Sequence, residues 1–355
     1  MLHPRQVLQD AQSGASLLPV CDHYSGTPLR MRKSLDLQAQ MSEEFGRCVF
    51  DVTLDCEDGA PVGAEAEQAQ RIAELALEQG RICSGGQRVN RVGARVHPLD
   101  HPAFAPDVQA IVGKAAAALD YLMLPKVERV ADIDRALALV DHATGSSRTH
   151  AGLPPLPLHV LIESPGALAQ VLAIAAHPRV ESLSFGLMDF VSAHGGAIPA
   201  SAMAYDASGQ GGLDQFSHPL VRRAKLEIAA ACHAHAKVPS HCVVTEFRDV
   251  AALERAAQQA SQALGFTRMW SIHPDQIRPI LRAFSPPAQA VEQAQRIIEA
   301  AIAQDWAPIA VDGVLHDRAS YRYFWQVMES AQRSGVQLAP ALQTLLNRPA
   351  PGVAH

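Results

Sequence analysis

LHVLIESPGALAQVLAIAA, residues 158–176, is the stretch on which the reading of the fold turns. Leu158 and Val160 to Ile162 read as a buried strand, and the run stops at a carboxylate, Glu163. Ser164-Pro165-Gly166 then opens a helix, with serine suited to the N-cap and proline to the first helical position. A buried strand followed at once by a helix is one β/α unit.

The same grammar recurs along the chain. Strand-like runs are expected at 16–20 (SLLPV), 48–58 (CVFDVTLDCED), 93–98 (GARVHP), 121–126 (YLMLPK), 158–163, 182–189 (SLSFGLMD), 240–245 (SHCVVT) and 268–273 (RMWSIH), each followed by a helical pattern. Strands alternating with helices imply a parallel sheet. Eight such units in this length point to an α/β fold, a (β/α)8 TIM barrel. A doubly wound sheet would normally carry a glycine-rich nucleotide turn after its first strand. That turn here reads CDHYSGTP, and neither GxGxxG nor a Walker A pattern occurs. The barrel is assigned to 1–285 and a C-terminal helical appendage to 286–355, expected to pack on a neighbouring subunit.

Composition narrows the function. The 355 residues are 48% hydrophobic with a net charge of −6 from mixed signs, so there is no basic groove for nucleic acid. No apolar run reaches membrane-spanning length, and the first residues lack a secretory apolar segment. The six cysteines form no CxxC pair and fit reduced thiols in a cytoplasmic protein.

In a barrel of this type, active sites lie at the C-terminal ends of the strands. Those ends carry Asp55, Glu57 and Asp58, then Arg95 and His97, then Lys126 and Glu128, then Glu163, Asp189 and His273. Glu163 and Asp189 come from neighbouring strands. Two close carboxylates repel unless a cation sits between them, and a small set of oxygen ligands suits Mg²⁺, with Mn²⁺ as a substitute. The competing reading makes each a helix-terminus carboxylate. Arg95 offers a planar fork for a substrate carboxylate or oxyanion; its other role is an ion pair to the Asp55/Glu57/Asp58 cluster. Arg91 and Arg88 are the alternatives should the strand register shift. Lys126 is a substrate-binding or structural ion-pair residue, and His273 orients the last strand-to-helix turn or touches substrate. The long Gly/Ala/Ser-rich segment after Asp189 is a candidate lid.

The ordered set LDCEDGAPVG, ARVHP, LPKVE, IESPGA, SFGLMDF and WSIHPDQI resembles the HpcH/HpaI aldolase/citrate lyase superfamily, in its citrate lyase β-subunit-like and malyl-CoA lyase-like branch. The resemblance implies a Mg²⁺-dependent carbon–carbon lyase, assembled as a homotrimer or hexamer. It implies that Glu163 and Asp189 hold the metal, that Arg95 binds a carboxylate or oxyanion, and that Glu57 and Asp58 touch metal-bound waters. It also implies that Asp317, in DGVLHD (312–317), acts in a neighbouring subunit's site. The substrate implied is a hydroxy acid, or its CoA thioester, that releases a 2-oxo acid. The chain departs from the family's R-S-x-L-F-x-P-G first strand and places His97 where asparagine is usual, which leaves the thioester open. Two other readings are a malyl- or citramalyl-CoA-type thioesterase using metal-bound water, and a non-catalytic partner subunit.

Overall fold

The computed structural model describes residues 4–8, 18–82, 90–206 and 212–348. Eight strands close into one parallel barrel in sequence order. They are β1 (Cys21–Ser25), β2 (Phe50–Asp55), β3 (Val92–Arg95), β4 (Tyr121–Leu124), β5 (Leu158–Ile162), β6 (Val180–Phe185), β7 (Val238–His241) and β8 (Arg268–Ser271). β1 pairs β8 to close the cylinder. Helices such as Pro28–Phe45, Glu65–Ile82, Val130–Thr144, Pro219–Ala234 and Val250–Leu264 lie between successive strands. Their apolar faces and the outward faces of the strands form one continuous core.

The first strand is displaced from the expected run at 16–20 to Cys21–Ser25. Its residues include Asp22, His23 and Ser25, all buried. An apolar run is therefore a poor marker here, because the lower barrel interior is polar. Side chains alternate across a strand, so Asp22, Asp51, Thr53, Tyr121, His159 and Arg268 project to the interior. Arg268, fully buried, lies 3.0 Å from Asp22 and 2.8 Å from Asp51. The Thr53 hydroxyl donates to Asp22 at 2.7 Å, and the Tyr121 hydroxyl lies 2.6 Å from Thr53. His159 stacks on the Tyr121 ring at 3.8 Å. Gly93 makes room for that ring: a Cβ there would meet Tyr121 Cε2 at 2.2 Å. Above this polar layer sits a second one of Tyr24, Met123, Leu161 and Trp270. It is the floor of the site.

After the barrel, helices Ala288–Ala303, Arg318–Arg333 and Pro340–Asn347 and the hairpin Ile309–Val311/Val314–His316 share a separate apolar cluster. The N-terminal helix Pro4–Leu8 joins this cluster through Leu8, whose carbonyl accepts from Arg322 Nε at 2.7 Å. Among the described residues, no helix is long and apolar enough to cross a membrane.

Candidate active site

A cavity of about 800 Å³ opens at the C-terminal ends of the strands. Its lining includes Asp55, Asp58, Arg95, Glu163 and Asp189, with Tyr24, Phe247 and Trp270 as the aromatic wall. The geometry at the mouth follows from strand register. Asp55 and Arg95 are Cα partners across β2 and β3. Arg95 Nε and Nη2 donate to the two oxygens of Asp55 at 2.7 and 2.5 Å, and Nη1 reaches Glu57 at 2.8 Å. Its guanidinium also lies 5.4 Å from the Tyr24 ring centroid. A guanidinium has five N–H donors. Three are taken, so the fork itself serves Asp55, and the two remaining N–H groups are left for an incoming oxygen. Asp55 and Glu57 more than offset burial and raise the Arg95 guanidinium further above its ordinary range.

Asp55 also organises its own turn, accepting from the Glu57 and Gly59 backbone N–H groups, both at 2.9 Å. The turn packs hard against the one after β1: a Cβ on Gly26 would fall 1.8 Å from the Gly59 carbonyl oxygen. The short approach fixes the DCEDG turn over the barrel mouth.

Ser164 caps the helix that follows β5, accepting from Ala167 N–H at 3.0 Å. Glu163 is thereby released from any capping duty. Its Oε2 accepts the Lys126 backbone N–H at 2.7 Å, and its side chain lies across Gly186. A Cβ on Gly186 would come within 2.4 Å of Glu163 Cγ. Glu163 is 5% exposed. Burial pushes its carboxyl up to about 8, and the negative charges of Asp189 and Glu57 add to the rise. Asp189 lies in the first turn of the helix Leu187–Ser192, four residues beyond the end of β6, and is partly open to the cavity.

Lys126 ties the group together. It has a φ of 52°, a left-handed conformation uncommon for a residue with a side chain. That turn directs its N–H to Glu163 while its ammonium reaches Glu57 at 3.0 Å and Asp189 at 3.9 Å. Burial would lower the ammonium, but Glu57 and Asp189 outweigh it and raise the group. Burial likewise raises Glu57, opposed by Arg95 and Lys126.

The donors facing the cavity are oxygens: a buried carboxylate whose ionised form lacks adequate compensation and a second, accessible carboxylate whose charge acts on it. This set fits a hard divalent ion that keeps several waters. The residues present can therefore hold Mg²⁺ through Glu163 and Asp189.

Other expected residues have different surroundings. Asp317 is the N-cap of Arg318–Arg333, accepting from Ala319 and Ser320 N–H at 3.0 and 3.3 Å, and is not in the lining of this chain's own cavity. Arg91 sits at the opposite end of β3, 3.2 Å from Asp51; Arg88 lies outside the described residues. His97 hydrogen-bonds Asp107 at 2.6 Å. His273 accepts from Asp275 N–H at 3.3 Å, so it orients the last turn, and it also stacks on Phe247 at the cavity wall. The segment after Asp189 carries a short 3₁₀ turn, Ala200–Met203, packed through Ala202 into the core. Tyr24, Trp270, Arg30 and Lys33 line the cavity unforeseen; displacement of the first strand hid the tyrosine, and nothing in the local pattern marked the others.

A family model described as HpcH/HpaI aldolase/citrate lyase matches residues 36–274. The chain is 30% identical over 298 residues to an L-malyl-CoA/beta-methylmalyl-CoA lyase of Cereibacter sphaeroides, covering 79% of this chain and 87% of that protein. It is similar to the crystal structure of a citrate lyase from Burkholderia xenovorans LB400, with a TM-score of 0.76 at 45% identity over 97% of this chain and 100% of that one. A citrate lyase beta subunit from M. tuberculosis, solved with oxaloacetate and magnesium, shares the fold at a TM-score of 0.56 and 20% identity, covering 76% and 98%.

Proposed function

The chain belongs to the HpcH/HpaI aldolase/citrate lyase family, and from that premise we propose that it is a Mg²⁺-dependent carbon–carbon lyase. Its substrate is a β-hydroxy acid or the CoA thioester of one, cleaved to a 2-oxo acid and an enolate that is then protonated. The observation that carries the reading is the pair Glu163 and Asp189 on one cavity, with Lys126 touching both. Glu163 and Asp189 would hold the Mg²⁺, which would supply Lewis-acid polarisation of the substrate's oxygens.

The protein's own groups account for the rest. Arg95, locked by Asp55 and Glu57, presents its two spare N–H donors at fixed angles to developing oxyanion charge, which is the arrangement that stabilises a transition state without reorganisation. Lys126 holds Glu57 beside Asp189 and keeps the carboxylates from spreading. Glu57 and Asp58 stand behind the metal pair as acceptors for ordered water. The aromatic floor of Tyr24 and Trp270, whose ring centroids are 4.5 Å apart, excludes water from below. Asp317 acts from a second copy of the chain as the acid–base group, and the working assembly is a homotrimer or hexamer. Free thiols at Cys21, Cys48, Cys56, Cys232 and Cys242 support a cytoplasmic setting.

Incubation of the purified protein and Mg²⁺ with malyl- and citramalyl-type thioesters and with the free hydroxy acids tests the reaction class. A lyase releases glyoxylate or pyruvate stoichiometrically. Release of the intact hydroxy acid, with no 2-oxo acid, would mark a thioesterase and defeat the proposal.

A further inference from the structure

Behind the cavity wall formed by the end of β7, Lys225 of the helix Pro219–Ala234 is fully buried. Its ammonium nitrogen donates to Gln215 Oε1 at 2.7 Å and lies 4.1 Å from the Phe216 ring centroid, with the Cys242 thiol beside it. Gln215, Phe216 and Cys242 carry no negative charge, and the Asp214 carboxylate nearby only partly opposes the effect of burial. A charged lysine in such surroundings is costly, and burial lowers its ammonium to about 8. The neutral amine, a nucleophile, is thus accessible near neutral pH.

Cys242 faces both ways. Its thiol shares the Gln215 oxygen with Lys225, donating to it at 3.3 Å, and its residue lines the active-site cavity. A small molecule in the cavity therefore meets the wall that Cys242 helps to form, and the thiol and the amine share the Gln215 oxygen behind it. Nothing in the lyase reading uses this pair.

We propose that Lys225 and Cys242 form a redox modification site, in which a peroxide oxidises the thiol and the lysine captures the sulfur in a covalent bridge. In the first step sulfur attacks a peroxide oxygen. The O–O bond breaks, water leaves, and the thiol becomes a sulfenic acid, oxidised by two electrons as the peroxide is reduced by two. In the second step the Lys225 lone pair attacks that sulfur. The S–O bond breaks, an S–N bond forms, and the hydroxyl departs as water with one amine proton. A dithiol reverses the step by attacking sulfur and releasing the amine. Burial raises the Cys242 thiol, so the first step is slower than at an exposed thiolate and the second is intramolecular. The bridge ties the end of β7 to the helix Pro219–Ala234 and alters the cavity wall, making it a site through which oxidants act on the enzyme.

Treatment of the intact protein with hydrogen peroxide, followed by alkylation, intact mass and tryptic mapping, tests this. The bridged species is lighter by about 2 Da. Trypsin no longer cleaves after Lys225, and peptides 224–237 and 238–248 are recovered joined. Dithiothreitol separates them. A joined pair about 14 Da heavier, in which a second peroxide has left one oxygen between nitrogen and sulfur, equally supports capture by Lys225. Cys242→Ser abolishes the link and Cys232→Ser retains it. In Lys225→Arg, Cys242 runs on to the sulfinic acid. Recovery of wild-type Cys242 as a free thiol, sulfinic or sulfonic acid, with Lys225 still cleaved, overturns the proposal. So does a link that survives Cys242→Ser. The wild-type map decides the matter even where a variant fails to fold.

Discussion

Asp55 and Arg95 sit at paired positions on β2 and β3 and meet in a two-point ion pair, Nε to Oδ1 at 2.7 Å and Nη2 to Oδ2 at 2.5 Å. The planar fork that would otherwise grip a substrate carboxylate is thus occupied by the protein itself. Arg95 acts with what is left, and Asp55 decides where that points. Asp55→Asn keeps the shape but removes a charged, doubly accepting partner. Turnover is expected to fall about 10–100-fold, as for other supporting residues around a metal site, with Mg²⁺ affinity little changed. Steady-state kinetics across a Mg²⁺ series separate the two effects.

Gly186 holds its place because Glu163 lies across it, with no room for a Cβ. In Gly186→Ala one of the two must move, and the backbone of β6 is pinned by the Gly186 N–H to Ile162 carbonyl bond at 3.0 Å. Glu163 is the freer group. Mg²⁺ affinity is expected to drop by about tenfold or more while circular dichroism shows an intact barrel. Unchanged affinity in calorimetry would mean that Glu163 is not held to its position in this way.

Asp317 has two possible duties, a helix cap and an acid for a neighbouring site, and one substitution separates them. Asparagine caps as well as aspartate, so Asp317→Asn keeps the melting temperature. Loss of a general acid–base group costs about 10²–10⁴ in rate. Mixing inactive Asp317→Asn with inactive Glu163→Gln under conditions of subunit exchange then restores partial activity, because some sites receive both wild-type groups. Full activity in Asp317→Asn alone contradicts the role.

Arg268 bridges two carboxylates deep in the barrel, Asp22 and Asp51, the second of which Arg91 also pairs, and the Arg268, Asp22 and Asp51 side chains are 1% exposed or less. Arg268→Met leaves both acids buried without that charge. Removing one partner of such a cluster costs about 3–5 kcal/mol, read as a lowered denaturant midpoint. A midpoint unchanged from wild type would show that the acids are protonated or otherwise compensated.

Much of this was legible in the residues. The eight strand-to-helix alternations stand in the sequence and in the closed barrel in the same order. Ser164 and Pro165 take the N-cap and first helical positions that their types favour. The first strand misled because Asp22 faces the polar barrel interior while His23 and Ser25 are polar residues buried on the opposite face, Ser25 lying 2.6 Å from Ser34 of the helix Pro28–Phe45, and hydrophobicity carries no signal where polar pairs fill the space. The Arg95–Asp55 clamp depends on strand register, which periodicity does not supply. The left-handed turn at Lys126 is a tertiary outcome that a lysine codon gives no hint of.

In the proposed site Glu163 and Asp189 share one divalent ion. Calorimetric titration of Mg²⁺ into the wild type, Glu163→Gln and Asp189→Asn measures this directly. One ion per chain in the wild type, with affinity lowered by about 100-fold or more in each variant, is the expected result. Wild-type affinity and stoichiometry in either variant would contradict it.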